Sequence, residues 1–417
     1  MLWGFVSVTA AVATGTQQRT RARVGCSPRA LLLTAPTRHR LCKGTGPASK
    51  ARTAECITSG PRTWRATVAQ CPVDASTRRR ENPAIVVIGT RGSPLALAQA
   101  HETKRLLEEA HPFLRDREGA IHIEIIHTTG DIVLDRALSE IGGKGLFTRE
   151  IDEAQLRGDI DIAVHSMKDV PTFLPPDIEL TSILRREDTR DAFVSFKAKS
   201  LDELPPGSVV GSSSLRRQSQ ILARYPHLKV INFRGNVQTR LRKLEECVVD
   251  ATLLALAGLR RLQMEHVATA VLGMEDMLPA VAQGAIGITT RRGDDRTAAL
   301  LGPLSCPRTK LCVEAERAFL ANLDGSCRTP IAGQAWFDTD SSERIHFRGL
   351  VATPDGRDLF ETTRQCTPAN VIDECAAAGT ELRDRVGPDF YASLVNYVQE
   401  RDRAEPGRQT KSKRSTS

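Results

Sequence analysis

Short apolar runs alternate with amphipathic stretches from residue 83 onward, a pattern typical of βαβ units. Residues 84–89 are almost wholly apolar, as in a strand buried in a parallel sheet. Ser93 followed by Pro94 predicts a helix that runs to about Ala110, with Ser93 as its N-cap. The same alternation predicts strands at residues 121–127 and 160–164 and a helix at residues 146–157.

A second unit repeats the alternation, and Leu204-Pro205-Pro206 predicts the crossing into it. Its predicted strands are residues 209–211, 229–233 and 251–256, and its predicted helices are residues 214–224 and 237–246. After Gln283 and Gly284, a strand at 285–290 is expected to return to the first unit. In such units, ligands bind at the carboxyl ends of the strands.

The remaining pattern predicts a third, smaller unit. It has a helix at 308–323, antiparallel strands within 332–365 with a turn at 353–356, and a helix at 369–385. We therefore predict an α/β protein with two similar α/β domains and a small α+β C-terminal domain. The predicted boundaries are residues 83–187 with 284–303 for domain 1, 188–283 for domain 2, 304–400 for domain 3, and 401–417 for a disordered tail.

The formal net charge of +8 suggests a nucleic-acid-binding protein, but the charge is unevenly distributed. Residues 1–80 hold 14 of the 58 Lys and Arg residues and 2 of the 50 Asp and Glu residues, so the rest of the chain has a net charge of −4. Nucleic-acid-binding domains usually carry a basic surface, and three Trp and three Tyr offer few aromatic rings for base stacking. This class is disfavoured but stays open.

Residues 1–82 are predicted to be a disordered targeting presequence. An apolar run at 2–13 precedes a Ser/Thr/Arg-rich, acid-poor stretch that Arg78-Arg79-Arg80 closes. This two-part pattern favours import into a plastid bounded by extra membranes, with a mitochondrion or a simple disordered extension as alternatives. The apolar run is shorter than the approximately 20 residues that span a membrane, so we expect a soluble protein.

The cysteines of the body predict no metal site, because they form no C-x-x-C pair and have no histidine at ligand spacing. Cys247, Cys312 and Cys375 are predicted to lie in helices as packing residues. Cys327 differs, because Gly325 and Pro330 place it on a turn, from which a thiol can project into a cleft.

Cations and hydroxyls follow the predicted strands at one sheet edge. A helix N-terminus there attracts anions, and an arginine fork binds carboxylates in a bidentate manner. The segment Gly142-Gly143-Lys144-Gly145 lacks the spacing of a Walker phosphate loop, so a ligand with many carboxylates fits better than a nucleotide. The alternative is that these arginines are solvated surface charges. The residues concerned are Arg91, Ser93, Lys144, Lys168, Ser213, Ser214, Arg216, Arg217, Arg234, Arg240 and Arg261.

Asp169 is the one acid in the segment 165–169, among these anion-binding loops. It would repel a polyanionic ligand unless it stabilised a cation or a polarised N–H group during a reaction. The alternative roles are helix capping or an ion pair with Lys168.

Motifs in seven segments, in the same order, resemble the porphobilinogen deaminase (hydroxymethylbilane synthase) family. They lie at residues 89–96, 142–147, 165–171, 210–217, 234–240, 281–287 and 323–330. The resemblance extends over about residues 84–400. It implies two domains similar to the lobes of periplasmic binding proteins, plus the small third domain.

The resemblance also implies a transferase of heme and chlorophyll biosynthesis. Such an enzyme carries one dipyrromethane cofactor, bound through a thioether to the motif cysteine, here Cys327. It adds four porphobilinogen molecules to this primer with loss of ammonia and releases the linear tetrapyrrole by hydrolysis. Each pyrrole carries an acetate and a propionate, which explains the many cations, and Asp169 would stabilise the azafulvene-type cation that forms as ammonia leaves.

The resemblance assigns further roles by motif position. It implies a monomer that acts on a small molecule and binds neither nucleic acid nor membrane. The cofactor would be held by Lys144, Lys168, Ser213, Ser214, Arg216, Arg217 and Arg240, and the substrate by Arg91, Ser93, Arg234, Arg261 and Gln283. A binding module of the periplasmic type, which needs neither Cys327 nor Asp169, is the remaining alternative.

Overall fold

The computed structural model of the protein describes residues 84–132, 145, 147–323, 329–390, 393–394 and 396–397. The predicted presequence, Lys144, Cys327 and the predicted tail lie outside these described residues. None of the helices in the described part of the chain is long and apolar enough to cross a membrane.

The first part of the chain alternates strands and helices up to residue 183. Its elements are β1 (Val86–Thr90), α1 (Pro94–Ala110), α2 (Pro112–Arg115), β2 (Ile121–Ile125), α3 (Thr129–Ile132), α4 (Arg149–Arg157), β3 (Ile162–Ser166) and β4 (Ile178–Ile183), with a 3₁₀ turn at Met167–Asp169. The second part comprises β5 (Asp191–Ser195), β6 (Val209–Gly211), α5 (Leu215–Arg224), β7 (Lys229–Ile231), α6 (Val237–Glu245), β8 (Ala251–Ala255), α7 (Leu256–Arg261), a 3₁₀ turn at Glu265–Val267 and β9 (Ala270–Val271).

The last part returns to the first sheet and then forms a separate unit. Its elements are β10 (Ile286–Arg291), α8 (Asp295–Leu301), a 3₁₀ turn at Gly302–Leu304, α9 (Pro307–Ala321), β11 (Ile331–Phe337), β12 (Ile345–Ala352), β13 (Leu359–Cys366) and α10 (Val371–Val386). Strands β11, β12 and β13 form an antiparallel sheet in that order, and α9 and α10 supply much of the core beside it.

The two larger sheets have the same strand arrangement. Their orders are β2-β1-β3-β10-β4 and β7-β6-β8-β5-β9. In each, three parallel strands are followed by an antiparallel strand that reaches the sheet after a chain crossing. The fold-class prediction of two similar α/β domains and a small α+β domain is therefore confirmed, while the domain boundaries stay a prediction.

The third unit packs closely on helix α5 of the second sheet. The turn after β12 places Gly356, at φ +73°, where an added Cβ would lie 2.4 Å from the backbone nitrogen of Ala223. Gln218 on α5 donates from Nε2 to the carbonyl of Pro354 in the same turn, at 3.0 Å. Only a glycine at this turn permits so close an approach, and the contact fixes α5 against the third unit.

Several local predictions are wrong. The crossing does not occur at Leu204–Pro206, because β5 already belongs to the second sheet. Helix α4 begins at Arg149 rather than at 146, since residues 147 and 148 form a turn. Cys247 lies beyond the end of α6 at φ 57° and is exposed, whereas Cys312 and Cys375 are buried in helices, as predicted.

Candidate active site

Side-chain caps fix three helix N-termini at the carboxyl edges of β1, β6 and β7. Ser93 accepts from the backbone nitrogen of Ala96 at 3.3 Å, which begins α1. Ser214 accepts from the nitrogen of Arg217 at 3.4 Å, which begins α5, and Asn236 caps α6. The predicted site serines therefore hold the loops in place, and each hydroxyl keeps a hydrogen to donate to a ligand.

A pocket of about 420 Å³, open to solvent, lies beside the α1 N-terminus. Arg91 stacks over the ring of Phe147, with 4.2 Å between its Cζ and the ring centroid. Gln99 donates from Nε2 to the hydroxyl of Ser166 at 2.8 Å. The lining residues are Arg91, Ser93, Leu95, Ala96, Gln99, Phe147, Thr148, Val164, His165, Ser166, Asp169 and Val170.

Asp169 reaches this pocket from the 3₁₀ turn that follows β3. The turn is anchored by the backbone nitrogen of Met167, which donates to Ala285 on the returning chain at 3.0 Å. His165, also at the pocket, is buried, and this burial, with help from Arg91, lowers its pKa to about 4. Its imidazole is therefore neutral near pH 7.

A buried aspartate that sequence reasoning missed organises the predicted cofactor arginines. Asp191 at the start of β5 accepts from Nη2 of Arg216 at 2.8 Å and from Nη2 and Nε of Arg217 at 2.7 and 3.2 Å. The carboxylate and both guanidinium groups are almost fully buried. Arg216 and Arg217 hold the pKa of Asp191 well below its usual range despite the burial, so it stays charged and fixes both forks.

The predicted lysine and the remaining arginines converge on the same region. Burial lowers the pKa of Lys168, with the carboxylate of Asp169 close enough to oppose the shift. Burial also lowers the pKa of Arg240 to about 10, and the guanidinium groups of Arg217 and Arg234 act in the same direction. Asp169 partly offsets that repulsion. One carboxylate thus lies within electrostatic range of several crowded cations.

Two predicted substrate residues lie near the segments in which the chain passes between the two α/β sheets. Arg261, at the end of α7, donates from Nε to Glu102 on α1 at 3.3 Å and from Nη2 to the carbonyl of Gly284 at 2.9 Å. Gln283 is buried and donates from Nε2 to Asp191 at 2.8 Å. Both side chains therefore join the two α/β sheets, and their contact with substrate stays a prediction.

Arg216 also carries an unpaired donor. Its Nη1 donates to the carbonyl of Leu278 at 2.8 Å, but its Nε is buried and has no acceptor among the described residues. A buried N–H group without a partner is costly, so this position fits an acidic group of a ligand. Elsewhere in the described part of the chain, no cluster of three or more His, Cys, Asp or Glu residues is arranged to hold a metal ion.

The residues that sequence reasoning missed give weak local signals. Asp191 precedes an apolar strand, as many surface aspartates do, and its role depends on arginines some 25 positions away. Ser166 lies within one of the sequence motifs, and Gln99 lies just after another. Their direct hydrogen bond arises only because α1 packs against β3.

Comparisons with known proteins identify the family. The model described as "Porphobilinogen deaminase, dipyromethane cofactor binding domain" matches residues 86–299, and the one described as "Porphobilinogen deaminase, C-terminal domain" matches residues 310–386. A protein named porphobilinogen deaminase, chloroplastic, from Oryza sativa subsp. japonica is 57% identical over 331 residues, which cover 78% of this chain and 91% of that protein. Porphobilinogen deaminase from Nitrobacter winogradskyi is 52% identical over 311 residues, which cover 75% of this chain and 96% of that protein.

Similar solved structures include the methionine binding protein MetQ, which covers 57% of this chain and 93% of its own at 14% identity and a TM-score of 0.34. This likeness is too low to bear on the ligand. The first family model alone spans more than half of the chain, which confirms the resemblance found in the sequence motifs. The chain therefore belongs to the porphobilinogen deaminase family and carries its dipyrromethane cofactor-binding domain.

Proposed function

We propose that the cleft around Asp169 elongates a pyrrole chain, with the basic residues nearby holding its carboxylates. Membership of the family makes this chain an enzyme, a hydroxymethylbilane synthase of tetrapyrrole biosynthesis. It condenses four porphobilinogen molecules with loss of ammonia and then releases the product by hydrolysis. The observation that carries the assignment of the site is the position of Asp169, which lines the pocket and lies within electrostatic range of Lys168 and Arg240.

The residues present fit a dipyrromethane cofactor. Bound through a thioether to Cys327, this group would supply the free pyrrole carbon to which the first substrate is joined. Its acidic side chains would be held by Lys144, Lys168, Ser213, Ser214, Arg216, Arg217 and Arg240. The buried, unpaired Nε of Arg216 supports this role, since it needs an acceptor that the described residues do not supply.

Asp169 would act by electrostatic stabilisation. Positive charge develops on the substrate as ammonia leaves, and a fixed carboxylate favours that charge without reorganising. Asp169 can also accept from pyrrole N–H groups, so it would orient the ring that reacts.

The substrate itself would be bound on the pocket side of Asp169. Arg91 lies at the pocket rim over Phe147 and offers a bidentate fork for a carboxylate. Ser93 lines the same pocket at the α1 N-terminus, where anions are favoured. Arg234, Arg261 and Gln283 would complete the substrate site, with the last two acting from the junction of the sheets.

Intact mass and turnover together test this assignment. We expect purified protein to carry a mass increase of two pyrrole units, which Cys327→Ala loses and Cys247→Ala, a change at an exposed thiol, retains. We expect Asp169→Asn to retain the adduct and lose about a hundredfold or more in kcat. An unmodified wild-type protein would favour a binding module, and normal turnover in Asp169→Asn would remove its assigned role.

We further propose that the chain acts in a plastid as a monomer. The relatives from Oryza sativa subsp. japonica and Pisum sativum are named chloroplastic, and the presequence pattern at residues 1–82 agrees with import. A fluorescent protein fused after the presequence should accumulate in plastids, and mitochondrial fluorescence would overturn the proposal. Light scattering of the purified holoenzyme should give the mass of one chain.

A further inference from the structure

Three consecutive carbonyl groups follow Asp169 and converge on one arginine of the third unit. Nη1 of Arg317 donates to Val170 at 3.3 Å, and Nη2 donates to Pro171 and Thr172 at 2.8 and 3.0 Å. Pro171, Pro175 and Pro176 deprive this loop of N–H donors. The loop therefore has fewer donors for backbone pairing, and the Arg317 guanidinium satisfies the carbonyls of Val170, Pro171 and Thr172.

Burial lowers the pKa of Arg317 to about 10, with the carboxylate of Glu314 one helical turn away opposing the shift. The guanidinium remains charged at neutral pH, so its hydrogen bonds to the carbonyls are charge-assisted. A planar fork can serve three acceptors at once, which a flexible ammonium group matches poorly. The contact is therefore specific to arginine.

Helix α9 connects this contact to two other parts of the active site. Glu316, the residue before Arg317, accepts from Arg186 at 2.6 and 3.0 Å and from the nitrogen of Ala282 at 2.6 Å, next to the chain crossings. Met167 and Val170, which flank Asp169 in the chain, share a hydrophobic cluster with Phe319 of the same helix. The helix ends at Ala321, six positions before Cys327.

We propose that Arg317 is a positioning residue that holds the Asp169 turn in register with helix α9. Arg317 does not itself line the pocket, and it reaches the pocket only through the loop, by donating to the carbonyl of the lining residue Val170. The inference rests on the proposed role of Asp169. It predicts that loss of Arg317 impairs the chemical steps and leaves substrate affinity and cofactor attachment unchanged.

The test uses purified holoenzyme of Arg317→Gln, Arg317→Lys and the control Leu382→Ala. Leu382 is fully buried in α10 of the same unit, so its truncation destabilises that unit and leaves the hydrogen bonds of Arg317 to the loop in place. The value of kcat is calculated per molecule that carries the two-pyrrole adduct. We expect Arg317→Gln to lower kcat about ten- to a hundredfold, because a small misplacement of a catalytic group has an effect of this size. KM should change less than twofold, Arg317→Lys should recover part of the loss, and Leu382→Ala should keep wild-type kcat.

Hydrogen exchange gives a second measurement that does not depend on activity. Peptides that cover residues 170–174 should exchange faster in Arg317→Lys than in wild type, and those of Leu382→Ala should not. Unchanged kcat in Arg317→Gln, an equal loss in Leu382→Ala, or an effect confined to KM would each overturn the proposal. If Arg317→Gln does not fold, unchanged kcat and exchange in Arg317→Lys would overturn it. Normal turnover in Asp169→Asn would instead remove the proposed function on which the inference rests.

Discussion

Asp191 shows how one buried residue can fix the positions of two neighbouring arginines. It is fully buried and accepts from two guanidinium groups and from the amide of Gln283. Removing one member of a buried ion pair leaves an uncompensated charge, which costs about 3–5 kcal/mol. This carboxylate also offsets the mutual repulsion of the two buried guanidinium groups.

We therefore expect Asp191→Asn to lower the free energy of unfolding by about 3–5 kcal/mol and to reduce the fraction of protein that retains the cofactor. Urea unfolding and intact mass measure the two effects. Asp188→Asn is the matched control, since Asp188 pairs with the partly exposed Arg190 and such pairs contribute about 1 kcal/mol or less. Equal effects of the two substitutions would contradict the special role of Asp191.

Two buried groups, His165 on β3 and Asp152 on α4, should respond to acid in opposite directions. Burial lowers the pKa of His165 from 6.5 to about 4, so the unfolded chain binds the proton first and stability falls as the pH drops through this range. Burial, with Glu150 and Glu153 nearby, raises the pKa of Asp152 from 3.8 to about 6. The folded state then binds the proton first, and this contribution to stability rises over nearly the same interval.

Difference measurements separate the two contributions. From pH 7 to pH 4, the unfolding free energy of His165→Asn should rise relative to wild type by about 3 kcal/mol, at about 1.4 kcal/mol per pKa unit. That of Asp152→Asn should fall relative to wild type by a similar amount. Denaturant unfolding at several pH values gives both differences, with the exposed His122→Asn as control. A difference that does not vary with pH would refute the corresponding assignment.

At the scale of elements, strand β10 shapes the turn that carries Asp169. An added Cβ at Gly287 would lie 2.0 Å from the sulfur of Met167 and 2.9 Å from a methyl group of Leu180. Met167 is buried, so overpacking here costs about 1–3 kcal/mol and shifts the turn. We expect Gly287→Ala to lower kcat severalfold and the melting temperature by a few degrees, while Gly302→Ala, with open space around its Cβ, should change neither. Wild-type kcat in Gly287→Ala would contradict the packing argument.

An element can be predicted from the sequence when the residues that specify it lie within it or directly beside it. The start of α1 is predicted correctly because Ser93 and Pro94 specify it alone, and Ser214 does the same for α5. Strands β5 and β9 were not predicted. Strand β9 has only two residues, and β5 is recognised only by the strands that pair with it. The role of Arg317 was also missed, because the loop that it holds is about 146 positions away in the chain.

At the scale of the whole molecule, Glu316 joins all three sheets. Its carboxylate is fully buried and accepts from Arg186 after β4, from the nitrogen of Ala282 before β10 and from the nitrogen of Ala335 in β11. This one charge therefore satisfies donors from the two segments that cross between the α/β sheets and a donor from the third unit. We therefore expect this carboxylate to strengthen the coupling of the third unit to the rest of the chain, in addition to the contacts of the Gly356 turn with α5.

Glu316→Gln tests this coupling, because the amide leaves Arg186, of which 11% of the side chain is exposed, without a counter-charge. Trp336 lies in β11, and the other two tryptophans of the sequence are Trp3 and Trp64. When both of these are replaced (Trp3→Phe, Trp64→Phe), the tryptophan fluorescence reports on the third unit alone. We expect fluorescence and circular dichroism to give one common urea transition in that background, and Glu316→Gln to move the fluorescence transition to lower urea. Lys310→Gln, a change in an exposed ion pair of the same helix, should keep the transitions together. Coincident transitions in Glu316→Gln would mean that packing alone couples the third unit to the sheets.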